Sequence, residues 1–232
     1  MMGEGQGESV TWRDGGLPIS VLFDDPYFSL QDGLAETRHV FLAGNGLPGR
    51  FRDGLRIAEL GFGTGLNLLA TLLAWQDGGL PGRFRFTSFE AYPMPAADMA
   101  RALEAFPEVA AVAGPLLARW QAGLRHFDLG PAEVEVITGD ARATLPRWAG
   151  QADAWYLDGF SPAKNPELWG QDILQAVANH TAPDGSFATY TAAGFVRRGL
   201  QAAGFQVERL SGYGRKRHMS RGWLPDEQDV IT

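Results

Sequence analysis

From Leu55 onward, short apolar runs of strand length alternate with stretches whose apolar positions recur every three or four residues. That rhythm belongs to βα units feeding a mostly parallel sheet. Strands are predicted at Leu55–Leu60, Phe84–Glu90, Val134–Thr138, Ala154–Asp158, Ser186–Thr191, Gln206–Leu210 and His218–Trp223. Helical spacing falls at Leu66–Trp75, Pro95–Phe106, Pro115–Gly123, Pro166–Ala178 and Gly194–Ala203. Pro95, Pro115 and Pro166 stand where helices begin, since the first turn has no intrahelical partner for an N–H, and Gly123 and Gly204 stand where helices end. Seven strands in this order predict an α/β, Rossmann-like domain over residues 55–232, a seven-stranded mostly parallel sheet with helices on both faces. Residues 17–54 mix aromatic and turn residues without a clean period and are predicted to be an N-terminal extension with a short hairpin. Residues 1–16, rich in Gly and Glu, are predicted to be a disordered tip.

Composition narrows the chemistry. With 232 residues, 45% of them hydrophobic, the chain can bury one sizeable core. The absence of cysteine removes disulfides, thiolate metal sites and thiol nucleophiles. His39, His126, His180 and His218 are scattered without ligand spacing, so no metal is expected. No apolar run suggests a signal peptide or a membrane span, which predicts a soluble, cytoplasmic protein. A formal charge of −7 argues against indiscriminate coating of nucleic acid, yet five of the seven residues from Arg215 to Arg221 are basic. Alone, such a run is as readily a solvated charged face as a binding patch.

The segment Glu59-Leu60-Gly61-Phe62-Gly63-Thr64-Gly65 follows a predicted strand and opens a predicted helix. Glycines there let the backbone turn sharply and approach a ligand. The spacing is G-x-G-x-G and lacks the G-x-G-x-x-G of a dinucleotide fold, so a nucleoside without a pyrophosphate, such as S-adenosyl-L-methionine, fits better than a nicotinamide cofactor. Glu90, at 90 − 61 = 29 positions after Gly61, ends the second strand, where a carboxylate can accept ribose hydroxyls. Asp140 follows the third strand, where it can take an adenine amino group. The bland alternative is that the glycines serve strand–helix packing and Asp140 caps a helix. Ligands of open α/β sheets bind at strand C-termini, so three such features at successive strand ends reinforce one another.

The fourth strand runs into Asp158-Gly159-Phe160-Ser161-Pro162-Ala163-Lys164-Asn165-Pro166-Glu167-Leu168-Trp169. An acid at a strand end, then an aromatic and a proline-bounded loop, resembles the motif with which class I methyltransferases hold an amine beside the methyl donor. With Phe23-Asp24-Asp25-Pro26-Tyr27-Phe28-Ser29, Gly33-Leu34-Ala35-Glu36-Thr37, Glu59 to Asn67 and Gly214-Arg215-Lys216-Arg217, the chain resembles the tRNA 5-methylaminomethyl-2-thiouridine methyltransferase family from about Ser20 to Arg221. The resemblance implies N-methylation of the 5-aminomethyl group of a wobble uridine, with S-adenosyl-L-methionine as cofactor and the tRNA anticodon loop as partner. It implies that Glu59, Gly61, Gly63, Asn67, Glu90 and Asp140 surround the cofactor and that Asp158 is the acid at the reacting centre. In many bacteria this methyltransferase is fused to a FAD-dependent oxidase; a chain ending at Thr232 has no room for one, which implies a stand-alone form. One departure stands out: His218 follows the Arg-Lys-Arg run where the family pattern has Glu.

In-line displacement at a sulfonium asks mainly for positioning, with the amine nitrogen about 3 to 3.5 Å from the methyl carbon. Asp158 is expected to orient that amine by a charge-assisted hydrogen bond, with proton removal secondary. Tyr27, Phe28, Phe160 and Trp169 are candidates to enclose the methionine tail or stack the target base, although any one of them is at least as natural in a core. Lys164, Arg215, Lys216 and Arg217, with Arg197, Arg198 and Arg221, are candidates for substrate contacts, phosphates above all. The competing readings are a methyltransferase acting on a small-molecule or protein amine, and a non-catalytic nucleoside-binding module.

Overall fold

Strand residues of alternating facing feed two separate cores. In β4 (Leu55–Leu60) and β8 (Ala152–Leu157), Ile57, Ala154 and Tyr156 enter one buried cluster, whereas Ala58, Leu60, Trp155 and Leu157 enter the other. The sheet is therefore covered on both faces, as parallel sheets are. A computed structural model describes residues 9–13, 16–29 and 32–225. Besides β4 and β8 it contains β5 (Phe84–Glu90), β6 (His126–Leu129), β7 (Ala132–Thr138), β9 (Thr181–Thr189), β10 (Gln206–Ser211) and β11 (His218–Trp223). These form one sheet in the order β10-β11-β9-β8-β4-β5-β7-β6. The five strands from β9 to β7 run parallel, while β11 and β6 run antiparallel to their neighbours.

The α/β, Rossmann-like, mostly parallel architecture is the one the pattern predicts, with eight strands where seven were expected. The additional strand is β6, which forms a hairpin with β7. Only Phe127 and Leu129 of its four residues turn inward, too short an alternation to distinguish from a loop.

Beyond the short α1 (Gly33–Thr37), the helices are α2 (Leu66–Asp77), α3 (Ala96–Leu103), α4 (Ala110–Gln121), α5 (Ala141–Thr144), α6 (Gln171–Asn179) and α7 (Gly194–Ala202). Pro115 lies inside α4 and does not begin it. Burial of Val112, Ala113, Leu116 and Trp120 on one face outweighs the hydrogen bond that a mid-helix proline removes, a loss of about 3 kcal/mol. Pro166 starts a 3-10 turn, Pro166–Trp169, and the α-helix follows only at Gln171.

The N-terminal region differs most from expectation. Val10–Arg13 (β1) pairs antiparallel with Leu17–Ser20 (β2), which pairs with Asp25–Pro26 (β3). Strand structure thus begins within the stretch predicted as a disordered tip, because β1 gains a ladder partner that local composition does not reveal; residues 1–8 and 14–15 of that tip lie outside the described residues. α1 then continues through a π-helical turn, Arg38–Leu42, and a 3-10 turn, Ala43–Asn45. Val40, Phe41 and Leu42 join the same core as Ile57 and Tyr156, and the Phe41 ring stacks on Tyr156 at 5.4 Å. The extension is welded to the sheet. Among the described residues no helix is long and apolar enough to cross a membrane.

Candidate active site

The loops leaving β4, β5, β7 and β8 meet beneath the N-terminal extension and enclose a cavity of about 590 Å³. One wall is backbone. Gly61 has φ +84°, and a Cβ there would come within 3.1 Å of Gly159 Cα, so the loops after β4 and β8 touch main chain to main chain. Gly63, at φ +51°, leaves room for the Tyr27 ring in the same way. Glu90 closes this wall. Its carboxylate accepts from the Gly63 N–H at 2.9 Å and from the Tyr92 N–H at 2.8 Å. Burial nonetheless pushes its pKa above the ordinary value, against the pull of those donors.

Asp140, at the cavity rim, caps α5 by accepting from the Arg142 N–H at 2.9 Å and is gripped by the Arg142 guanidinium, Nε to Oδ2 2.9 Å. Arg142 holds the Asp140 carboxyl below its usual range. The same guanidinium reaches Glu167 at 2.7 Å, tying the β7 loop to the loop after β8.

At the floor lies an amide between two acids. Asn67, in the first turn of α2, donates from Nδ2 to Glu59 Oε1 and to Asp158 Oδ2, both at 2.8 Å, and accepts from Thr37 Oγ1 at 2.9 Å. Both hydrogens and the carbonyl are thereby committed, which fixes the orientation of the amide. Glu59, with no solvent exposure, also accepts from Ser88 Oγ at 2.6 Å, and desolvation raises its pKa well above the ordinary value. Asp158 faces the cavity. Burial raises its pKa to about 6, opposed by the hydrogen bonds from Asn67 and the Gly159 N–H.

The opposite wall is assembled from distant segments. Phe160 stacks on Phe23 at 4.6 Å and meets Tyr27 edge-on at 5.1 Å, while Phe28 packs edge-on against Phe106 at 4.9 Å. The Ser161 N–H donates to Asp25 Oδ2 at 2.8 Å, and Lys164 pairs with Asp24 at 2.8 Å. From the β10–β11 turn, Lys216 reaches back to Glu36 at 2.8 Å and lies 4.0 Å over the Tyr190 ring. Tyr190 donates its hydroxyl to Gly159 O at 2.8 Å.

Of the residues expected to form the site, Gly61, Gly63, Asn67, Glu90, Asp140, Asp158, Tyr27, Phe28, Phe160, Lys164 and Lys216 all line this one cavity. Glu59 does not; it lies beneath the floor and orients Asn67. Arg215 and Arg217 stay on the exposed turn outside the cavity, and Arg221 pairs with Glu208 at 2.9 Å. Trp169 is core, 1% exposed, its indole N–H donating to Phe160 O at 2.9 Å. Lys164 and Lys216 are engaged in ion pairs within the chain. Among the lining residues not singled out individually from sequence are Phe23, Asp25, Glu36, Thr37, Arg142 and Tyr190. Glu36 had a visible signal, the one charged residue in the stretch Gly33-Leu34-Ala35-Glu36-Thr37, whereas Tyr190 had none.

Residues 107–225 match the family described as S-adenosyl-L-methionine-dependent methyltransferase. The chain is 47% identical over 229 residues to the tRNA 5-methylaminomethyl-2-thiouridine biosynthesis bifunctional protein MnmC of Caulobacter vibrioides, an alignment covering 95% of the chain and 39% of that protein. To the protein of the same name from Aeromonas hydrophila it is 44% identical over 240 residues, covering 96% of the chain and 36% of the relative. It thus spans less than two fifths of the length of these curated relatives. The crystal structure of MnmC2 from Aquifex aeolicus superposes with a TM-score of 0.77 at 26% identity, covering 98% of the chain and 75% of that structure.

Proposed function

Because this chain belongs to the S-adenosyl-L-methionine-dependent methyltransferase family, we propose that it methylates the nitrogen of a 5-aminomethyl group on the wobble uridine, 2-thiolated or not, of a tRNA anticodon loop. The observation that carries the reading is the pairing of a glycine-walled nucleoside site with the Asp158 carboxylate in a single cavity. Similarity along 95% of the chain to bifunctional proteins named for this modification supports the same acceptor. A tRNA acceptor would place the protein in the cytoplasm.

The residues present fit the cofactor. Gly61 and Gly63 line the cavity with backbone that carries no side chain, which lets a ligand approach the main chain. The cavity volume suits a nucleoside carrying an amino-acid tail. Glu90 and Asp140 would hold the ribose and adenine ends, and the acid-rich lining, Asp25, Glu36, Glu90, Asp140, Asp158 and Glu167, suits a cationic ligand beside an amine. When bound, S-adenosyl-L-methionine supplies an electrophilic methyl carbon.

Everything else falls to the protein's own groups. Asp158, held by Asn67, presents a carboxylate oxygen to the acceptor amine and fixes the direction of its lone pair. With a pKa of about 6, Asp158 is ionised at neutral pH yet more basic than an ordinary aspartate, so it can take the proton released as the N–C bond forms. Phe23, Tyr27 and Phe160 present ring faces and edges against which an unpaired uracil can stack. Arg215 and Arg217, exposed outside the cavity mouth, would meet backbone phosphates.

Incubating the protein with labelled methyl donor and tRNA that carries the unmethylated aminomethyl group, followed by nucleoside analysis, tests the reading. We expect label in the wobble nucleoside alone; label on free small amines but not on tRNA would replace the acceptor, and no transfer to any amine would leave only a binding module. Affinity for tRNA should weaken steeply with added salt, and a flat dependence would remove tRNA from the account.

A further inference from the structure

The Lys216 side chain ends in a primary alkylammonium, the same group that a protonated aminomethyl acceptor carries. Its surroundings are those a protein would build for such a ligand. The ammonium lies over the Tyr190 ring at 4.0 Å and 2.8 Å from Glu36 Oε1. Glu36 is only 8% exposed and lines the cavity, and its Oε1 accepts no hydrogen bond, so the Lys216 contact is an ion pair without an aligned donor. An acceptor ammonium with an N–H aligned on Oε1 would turn this ion pair into a charge-assisted hydrogen bond. Tyr190, the floor of the cradle, is tied through its hydroxyl to Gly159 O, next to Asp158. The charge of Lys216 also acts on Asp158.

Lys216 itself is not locked in place. Its side chain is 45% exposed, and it sits in the short turn between β10 and β11 that contains Gly212 and Gly214. It can swing into solvent without opening either core. The sequence suggested a phosphate contact for Lys216; in the structure its ammonium points inward to Glu36.

Resting on the reading above, we infer that Glu36, the Tyr190 ring and Asp158 form an alkylammonium subsite for the acceptor, and that Lys216 fills this subsite as an internal stand-in until the acceptor displaces it. Glu36 is then a second carboxylate selecting for a cationic amine, and Lys216 is a competitor that holds the pocket shut to solvent and to weaker ligands. If the stand-in occupies the cradle about nine-tenths of the time, it weakens acceptor binding about tenfold, since apparent affinity scales with the fraction of competent sites.

The test uses the whole chain saturated with S-adenosylhomocysteine and n-propylammonium as probe, measured by calorimetry in the wild type, Lys216→Met and Glu36→Gln. Removing the stand-in should tighten the probe about tenfold, and Glu36→Gln should weaken it severalfold, with melting temperatures confirming that both variants fold. Unchanged or weaker binding in Lys216→Met would overturn the stand-in, and binding indifferent to Glu36→Gln would overturn the subsite. Because the probe is a simple amine, these results stand apart from the tRNA assay: tighter probe binding in Lys216→Met with no methylation of tRNA would retain the subsite and discard the proposed acceptor.

Discussion

The two walls of the cavity are built on different physical terms. The wall formed by Gly61, Gly63 and Glu90 is local: the two glycines follow β4 and Glu90 ends the neighbouring parallel strand β5, and its geometry is set by the sheet and by backbone contacts such as that between Gly61 and Gly159. The wall formed by Phe23, Asp25, Glu36, Phe160, Lys164 and Lys216 comes from three segments far apart in sequence, joined by rings, one hydrogen bond from a backbone N–H and two ion pairs, one of them to Asp24 outside the cavity. The first wall is rigid and hard to alter, as a site for an invariant cofactor requires. The second rests on side-chain contacts that can be replaced one at a time, and under the proposed function acceptor choice can change there without disturbing the cofactor wall.

The sharpest way to break this division is at Asp158, which the proposed function assigns to the acceptor side although it leaves a sheet strand. We expect Asp158→Ala to lower the rate of methyl transfer by about 10²-fold or more while cofactor affinity, by equilibrium titration, changes little. The wild-type rate should rise with pH through about 6, because the ionised carboxylate is the active form and is lost as pH falls below its pKa; a bound sulfonium moves that limb toward lower pH. The limb should vanish in Asp158→Asn.

A substitution in the rigid wall should act on both functions. Gly61→Ala forces a left-handed backbone on an L-residue, at about 1–2 kcal/mol, and drives its Cβ to within 3.1 Å of Gly159 Cα. Cofactor dissociation constants measured by calorimetry should rise about tenfold, and a variant with unchanged affinity would show that this wall yields more than the backbone contact implies. The smallest effect is expected at Lys164→Ala. An exposed ion pair contributes about 0–1 kcal/mol, so the acceptor KM should rise no more than about fivefold with cofactor affinity untouched.

The same division explains what was legible in the sequence. The strands β4, β5 and β11 carry their predicted bounds, and the glycine turn after β4, Glu90, Asp140 and Asp158 meet at one cavity, because each depends on a short window with a fixed relation to a strand end. Tyr190 and Arg142 were not legible, since their importance arises only when the β7, β8 and β9 loops come together. Nor was the strand Val10–Arg13, whose stability lies in its pairing with Leu17–Ser20 rather than in its own four residues. Glu59 was placed in the right region but the wrong layer: an acid at the end of a buried strand faces the sheet interior, where Ser88 and Asn67 take up its oxygens. Lys164 and Lys216 were read as cations for a polyanion, and only the folded extension supplies the acids, Asp24 and Glu36, that hold them.

The most direct measurement of the central claim is a crystal structure of the protein with S-adenosyl-L-methionine bound. We expect the ligand across the ends of β4, β5 and β7, its ribose toward Glu90 and its methyl carbon facing the Asp158 carboxylate. A ligand lodged elsewhere, or Asp158 turned away from the methyl carbon, would contradict it.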